Sequence, residues 1–218
     1  MYNNNEKTKF QKETEELNVR LNEMREYVQE AIKKSISALI NRDEAMAKQV
    51  IADDEIIDSQ EKDIEQRSLR LLLMEHPVAS DFLRISATLK LITDLERIAD
   101  QAADISDISL KFNGKEFIKK PHHIQKMSFL AIDMVKDGIA AYINGDVDTA
   151  AKLKSRDDEV DSLFDIVKNE LVELIKANPE NAEQALLFMM IAKYLERIGD
   201  HAVNIGEWAI YSVTGKRN

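Results

Sequence analysis

Cysteine is absent from this chain of 218 residues, which excludes disulfides, thiolate metal sites and thiol catalysis. Glycine and proline are scarce, at 6 and 3 residues, whereas an all-β chain needs turn residues every few positions. No apolar run reaches the roughly 18 residues of a membrane span, and the opening MYNNNEKTKF lacks the apolar core of a signal peptide. These absences favour long helices joined by few loops.

Basic residues are outnumbered by acidic ones, 30 to 40, which gives a formal net charge of −10. A basic nucleic-acid footprint is therefore not expected. An acidic surface attracts cations or a basic partner surface instead. Hydrophobic residues make up 44% of the chain, which is enough to bury a core.

Apolar or small residues recur in steps of four and three over residues 17–38. This spacing predicts an amphipathic helix with coiled-coil-like periodicity over about 8–40. Asp43 follows a break and is suited to cap the next helix. The second, third, fifth and sixth helices are predicted near 44–74, 78–111, 147–177 and 180–213, and the fourth ends near 143.

The breaks between helices correspond in the two halves of the chain. Three pairs of breaks are separated by 103, 102 and 101 residues: Asn41 with Asn144, Pro77 with Pro179, and Gly114 with Gly215. Such regularity indicates an internal repeat. We therefore expect an all-α fold of two tandem antiparallel three-helix bundles, six long helices in all. The first repeat covers residues 8–112, a linker 113–121, and the second repeat 122–215.

The linker is rich in positive charge. It contains Lys115, Lys119 and Lys120 and is followed by His122 and His123. A solvated linker is the ordinary interpretation of such a charge run. A contact for an acidic partner or for lipid headgroups is the alternative.

Two acidic patterns recur at matching places in both halves. Leu95–Asp100 matches Leu195–Asp200, and Asp54–Asp58 matches Asp157–Asp161. Each stretch contains two carboxylates four residues apart. The spacing alone carries little information, because nine such pairs occur and chance gives about seven. The recurrence is the informative feature.

Carboxylates at this spacing lie one turn apart on one helix face and repel each other. A hard cation would offset that repulsion, since carboxylate oxygens suit Mg²⁺, Ca²⁺, Mn²⁺ and iron. Two antiparallel helices would together offer four carboxylates. Salt bridges to Arg97 and Arg197 are the alternative. The candidate metal ligands are Asp54, Asp58, Glu96 and Asp100 in the first half and Asp157, Asp161, Glu196 and Asp200 in the second.

No catalytic constellation is recognisable. The sequence has no Walker loop, no dinucleotide-binding glycine pattern and no nucleophile elbow. None of the four histidines follows a glutamate by three residues, so the ligand signature of di-iron bundles is missing. We therefore expect a non-enzymatic protein. A metal-free helical interaction module remains an alternative, and a carboxylate-bridged metal enzyme or storage bundle is another.

Several segments of the chain resemble a known family. His76–Arg84 is similar to its Pro-Val-Ala-Ser-Asp segment, Asp94–Asp100 and Tyr194–Trp208 to its two Leu-Glu-Arg-Ile-Gly-Asp blocks, and Ile210–Gly215 to its closing segment. The family is that of the PhoU proteins, regulators of phosphate transport. The resemblance extends from about residue 17 to residue 215.

This resemblance implies a fold of two three-helix bundles with multinuclear iron or zinc clusters, held by the eight acids named above. It also implies a cytoplasmic homodimer that acts as a negative regulator when phosphate is plentiful. The implied partners are a phosphate ABC transporter and a sensor histidine kinase, with the membrane reached only peripherally through them.

The two halves differ within the shared block. Ala99, Gln101 and Asp104 of the first half stand where the second half has Gly199, His201 and Asn204. Asp104 adds a carboxylate one turn beyond Asp100. Equal metal content in the two halves is therefore not expected.

Overall fold

The computed structural model describes residues 9–74, 78–112 and 114–217, with the side chain of Met74 left aside. Within these ranges it contains six α-helices. They are α1 (Lys9–Asn41), α2 (Glu44–Met74), α3 (Ala79–Leu110), α4 (His122–Asn144), α5 (Val147–Ala177) and α6 (Ala182–Thr214), with a short 3₁₀ turn (Pro179–Asn181) before α6. The predicted all-α fold of six long helices is confirmed.

The same turn chemistry separates the first two helices of each half. Arg42 and Gly145 both adopt positive φ, at 55° and 66°. The aspartate that follows each of them caps the next helix, because Asp43 Oδ1 accepts from Met46 N at 3.0 Å and Asp146 Oδ1 accepts from Thr149 N at 3.0 Å. The repeat seen in the sequence is thus a repeat of local structure.

The other predicted helix ends have different outcomes. Gly215 ends α6 in the left-handed conformation at φ 69°, as expected for a glycine stop. Asn178 ends α5, and its side chain accepts from Glu180 N at 3.1 Å. The predicted break at Pro77 lies outside the described residues. Gly114 adopts the left-handed conformation at φ 68°, four residues beyond the end of α3.

The two bundles share one hydrophobic core. Helices α1–α3 pack together, as do α4–α6, and α3 packs along α6 while α1 packs on α4. The side chains of Leu95, Ile98, Leu195 and Ile198 are all fully buried. The duplicated blocks therefore bury the same apolar face in each half. No helix in the described ranges combines the length and hydropathy needed to cross a bilayer.

The segment between the bundles is attached to the second half. Ile118 N donates to Gln184 Oε1 at 3.1 Å, and Gln184 Nε2 donates to Glu116 O at 2.9 Å. The Phe117 ring lies 5.1 Å from Phe112 and 5.4 Å from Phe188. These contacts hold the segment against α6 and against Phe112, which follows α3.

Ion pairs add to this attachment. Lys119 pairs with Glu170 of α5, and His123 Nδ1 lies 3.2 Å from the same carboxylate. The interpretation as a solvated linker is therefore wrong for Lys119. Lys115 and Lys120 are exposed, and Lys115 Nζ lies 3.5 Å from Glu183 Oε2 of α6. The domain boundaries themselves stay a prediction.

Truncating Phe117 tests whether this attachment stabilises the fold. Phe117→Ala removes a half-buried ring from a cluster of three, and we expect a loss of about 1–3 kcal/mol, below the value for a full core phenylalanine. Phe129→Ala is the matched control, because that ring is 58% exposed and its loss costs within about 0.5 kcal/mol. Urea denaturation measures both. Equal small losses would show that the segment contributes nothing.

Candidate metal centre

The eight recurring acids form two groups, one in each half. Asp54 and Asp58 on α2 face the pair on α3, and these four acids are called the first-half cluster. Asp157, Asp161, Glu196 and Asp200 on α5 and α6 form the second-half cluster. Each cluster spans two packed, antiparallel helices.

The first-half carboxylates lie close enough to raise one another's pKa values. Burial, followed by the charges of Asp100 and Asp58, raises the pKa of Asp54 to about 6. Burial and the charge of Asp100 also raise the pKa of Glu96. One cation counters this charge, since Arg97 Nη1 lies 2.9 Å from Asp100 Oδ2 and Arg97 Nε lies 3.4 Å from Glu96 Oε2.

The second-half cluster is more strongly perturbed. Burial, followed by the charges of Asp161, Asp200 and Glu196, raises the pKa of Asp157 to about 7. The pKa values of Asp161 and Asp200 are also raised, again with burial as the largest cause. Lys193 Nζ lies 2.6 Å from Glu196 Oε1. A half-buried aspartate surrounded by three carboxylates favours its neutral form.

Two buried oxygens of this cluster, Asp157 Oδ1 and Glu196 Oε2, accept no hydrogen bond in the described structure. Lys193 Nζ lies 2.5 Å from Glu196 Oε2, so Asp157 Oδ1 is the one that has no cation beside it. A buried carboxylate oxygen without a donor is unfavourable, and a cation or a proton relieves it. The donors of both clusters are carboxylate oxygens only, which suit a hard cation.

The clusters are not arranged as a preformed metal site. In the parts of the chain that the structure describes, no three His, Cys, Asp or Glu side chains are positioned to hold one ion. The residues fit a cation by their chemistry and proximity. Coordination requires their side chains to turn towards one another.

The alternative prediction was that the acids form salt bridges to Arg97 and Arg197. The structure shows such salt bridges only for Arg97 in the described residues. Arg97 pairs with both acids of α3. In the second half the pairing cation is Lys193, which precedes Glu196 by three residues. Arg197 forms no salt bridge within the described residues.

A polar contact between the halves was not predicted. His201 Nδ1 of α6 lies 2.9 Å from Asp94 Oδ1 of α3, and Asn204 Nδ2 donates to the same oxygen at 3.3 Å. At the equivalent place in the other half, Asp104 lies beside Tyr194, and burial and Asp104 raise the pKa of Tyr194. In both contacts α3 supplies the carboxylate and α6 the hydrogen-bonding group. Asp94 and Tyr194 occupy equivalent positions of the repeat, 100 residues apart. This correspondence is the sequence feature that could have indicated the two contacts.

A duplicated three-helix bundle with an acid cluster in each half defines a class of protein, and comparison with known proteins names it. The family model described as the PhoU domain matches residues 21–109 and again 124–209. The chain belongs to the PhoU family.

Relatives and solved structures match along nearly the whole chain. A phosphate-specific transport system accessory protein PhoU homolog of Clostridium acetobutylicum is 37% identical, with 95% of each chain covered. The homolog of Borreliella burgdorferi is 35% identical, with 96% of each covered. The crystal structure of PhoU from Pseudomonas aeruginosa superposes with a TM-score of 0.90 at 30% identity, over 95% of this chain and 100% of that one.

Neutralising Asp157 should stabilise the metal-free protein. The folded-state pKa of about 7 lies above the ordinary 3.8, so the charged form is disfavoured in the fold, and stability falls as pH rises between these values. Asp157→Asn is therefore expected to add about 1–2 kcal/mol at pH 8 and little at pH 4; partial solvation reduces the full ~1.4 kcal/mol per pKa unit.

Urea denaturation in the presence of a chelator measures this gain at both pH values. Glu159→Gln is the matched control, because Glu159 is an exposed acid on the same helix. A gain that is the same at both pH values would contradict the electrostatic origin.

The contact between Asp94 and His201 should couple the two bundles. In a double-mutant cycle with Asp94→Ala and His201→Ala we expect a coupling energy of about 1–2 kcal/mol, since both side chains are largely buried. The exposed pair of Lys48 and Glu44, 3.4 Å apart, is the control and should couple by about 0.3 kcal/mol. Equal coupling energies for the two pairs would show that the contact of Asp94 with His201 does not link the two halves.

Proposed function

We propose that this chain is an accessory regulator of phosphate uptake and signalling. It restrains a phosphate ABC transporter when phosphate is plentiful and acts as an adaptor to a sensor histidine kinase. The observation that carries the proposal is the similarity over 95% of both chains to an accessory protein of a phosphate-specific transport system. Because the match includes both repeats, the complete two-bundle unit is shared.

The regulator works by binding. Its relatives are named as accessory proteins, and the sequence offers no nucleophile with an adjacent base. A net charge of −10 suits basic surfaces on its partners. The cytoplasmic location and the homodimer implied by the family resemblance belong to the same proposal, and light scattering of the purified protein tests the dimer.

We also propose that the first-half and second-half clusters hold metal ions. A bound cation supplies positive charge that neutralises the carboxylates and joins α2 to α3 and α5 to α6. Iron suits the donors better than zinc. Structural and catalytic zinc sites draw mainly on cysteine and histidine, the chain has no cysteine, and His201 contacts Asp94.

A metal-free interaction module is the second candidate function. It is favoured by the absence of a preformed three-ligand group in the described residues and by the pairing of Arg97 with two of the acids. In this case the carboxylates form a docking surface for a basic partner. Metal analysis separates the two candidates.

Metal content of the purified protein is the first measurement. Protein prepared without chelator and without a histidine tag is expected to contain several metal ions per chain. The variant with Glu96, Asp100, Glu196 and Asp200 changed to alanine is expected to lose them. The control is Asp133→Ala with Asp137→Ala, an acid pair of the same spacing on α4. No metal in the unchanged protein would favour the metal-free module.

Phosphate uptake in cells tests the regulatory role directly. In phosphate-rich medium, cells that lack the protein are expected to take up phosphate faster than cells that have it. Supplying the unchanged chain to cells that lack it should lower the rate of phosphate uptake to its original value. Uptake that is identical with and without the protein would contradict the proposed function, whatever the metal analysis shows.

A further inference from the structure

Gly199 is the point at which α6 admits a carboxylate from α5. A Cβ added there would come closer to Asp157 Oδ1 than 3.0 Å, a separation that real Cβ atoms do not show. Glycine inside a helix is less stable than alanine, so Gly199 does not add to the stability of α6. What it permits is the close approach of the Asp157 carboxylate to the helix backbone.

The carboxylate admitted by Gly199 is the one with an unpartnered oxygen. Asp157 Oδ1 is buried and accepts no hydrogen bond from any described residue. Val160 Cγ1 lies 3.7 Å from the same added Cβ, so an apolar side chain lies next to the carboxylate. A buried oxygen in this setting is available to a cation.

The first half provides the contrast. Ala99 stands at the position equivalent to Gly199, and its methyl group is buried. Within the described residues, no oxygen of Asp54 is both buried and without a hydrogen-bond partner. Arg97 also occupies oxygens of both Glu96 and Asp100. An incoming cation therefore competes with a guanidinium in the first half.

In the second half the competing cation is weaker. Lys193 pairs with Glu196, and Asp200 has no ion pair within the described part of the chain. Lysine is a single charge on a flexible stem, whereas arginine holds a carboxylate in a fixed fork. Lys193 thus pairs directly with one acid of its cluster, whereas Arg97 pairs with two. Asp157 Oδ1 supplies the second-half cluster with a buried oxygen that has no donor.

We propose that Gly199 is a positioning residue that makes the second-half cluster the tighter of two divalent-cation sites. It does so by letting the Asp157 carboxylate lie against α6 beside Glu196 and Asp200. This inference rests on the proposed function, because it assumes that the clusters bind cations.

Titration with Mn²⁺ tests the proposal. Calorimetry and the loss of the free-ion spin resonance signal together count the sites and give their affinities. The unchanged protein is expected to show a tighter and a weaker class of site. Gly199→Ala should weaken the tighter class by about 10- to 100-fold, the range for residues that position metal ligands. Ala99→Gly should leave the tighter class unchanged.

Gly206→Ala separates positioning from packing. Gly206 lies about two turns further along α6, and a Cβ there would meet Leu153 Cδ1 at 2.8 Å and Ala150 O at 3.0 Å, with no carboxylate among its contacts. We expect this variant to unfold at a lower temperature and keep its Mn²⁺ affinity. Gly199→Ala should unfold at an equal or higher temperature in chelator, since the short Asp157 side chain can rotate and alanine favours the helix.

Each outcome bears on the proposal. If the unchanged protein binds no Mn²⁺, both the inference and the proposed metal sites are overturned. If it binds Mn²⁺ and Gly199→Ala binds equally well, only the inference is overturned. Asp157→Asn, which keeps the shape of the side chain, should weaken the same tighter class as Gly199→Ala. Retention of that class in Asp157→Asn also overturns the inference.

Discussion

The packing of α3 against α6 is the interaction on which the two-bundle structure depends. Leu95, Ile98, Leu195 and Ile198 are fully buried there, so the most apolar stripe of each half is covered partly by the other half. The contact of Asp94 with His201 adds a directional bond to this non-directional packing. A single core therefore includes both halves, and each bundle relies on its neighbour to complete its burial.

The same two helices, α3 and α6, also carry acids of the two clusters. The helical periodicity places these acids on a different face from the buried apolar residues. Glu96 and Asp100 lie one turn apart, as do Glu196 and Asp200, and each pair faces the outer helix of its own bundle. Partial burial of like charges destabilises the fold. The apolar packing of α3 on α6 must offset that cost.

The helical fold was predictable because it depends on local and periodic signals. Long amphipathic stripes, the Asp43 cap and the positions of glycine and proline identified the helices, and the internal repeat indicated two bundles. The side-chain contacts were not predictable in this way. Lys119 pairs with Glu170, 51 residues away, and His201 pairs with Asp94, 107 residues away. Such partners are set by how the bundles pack, which no spacing within one helix encodes.

The outer helices connect the clusters to the surface. In the described structure α2 packs only on α1 and α3, and among the α-helices α5 packs only on α4 and α6. Carboxylate repulsion acts across one of the two contacts that hold each outer helix. Charge neutralisation at a cluster therefore strengthens the docking of that helix more than any other part of the fold. Both outer helices carry exposed apolar side chains, Ile56 on α2 and Ile166 on α5. These side chains lie on the helices whose docking depends on the charge of the neighbouring cluster.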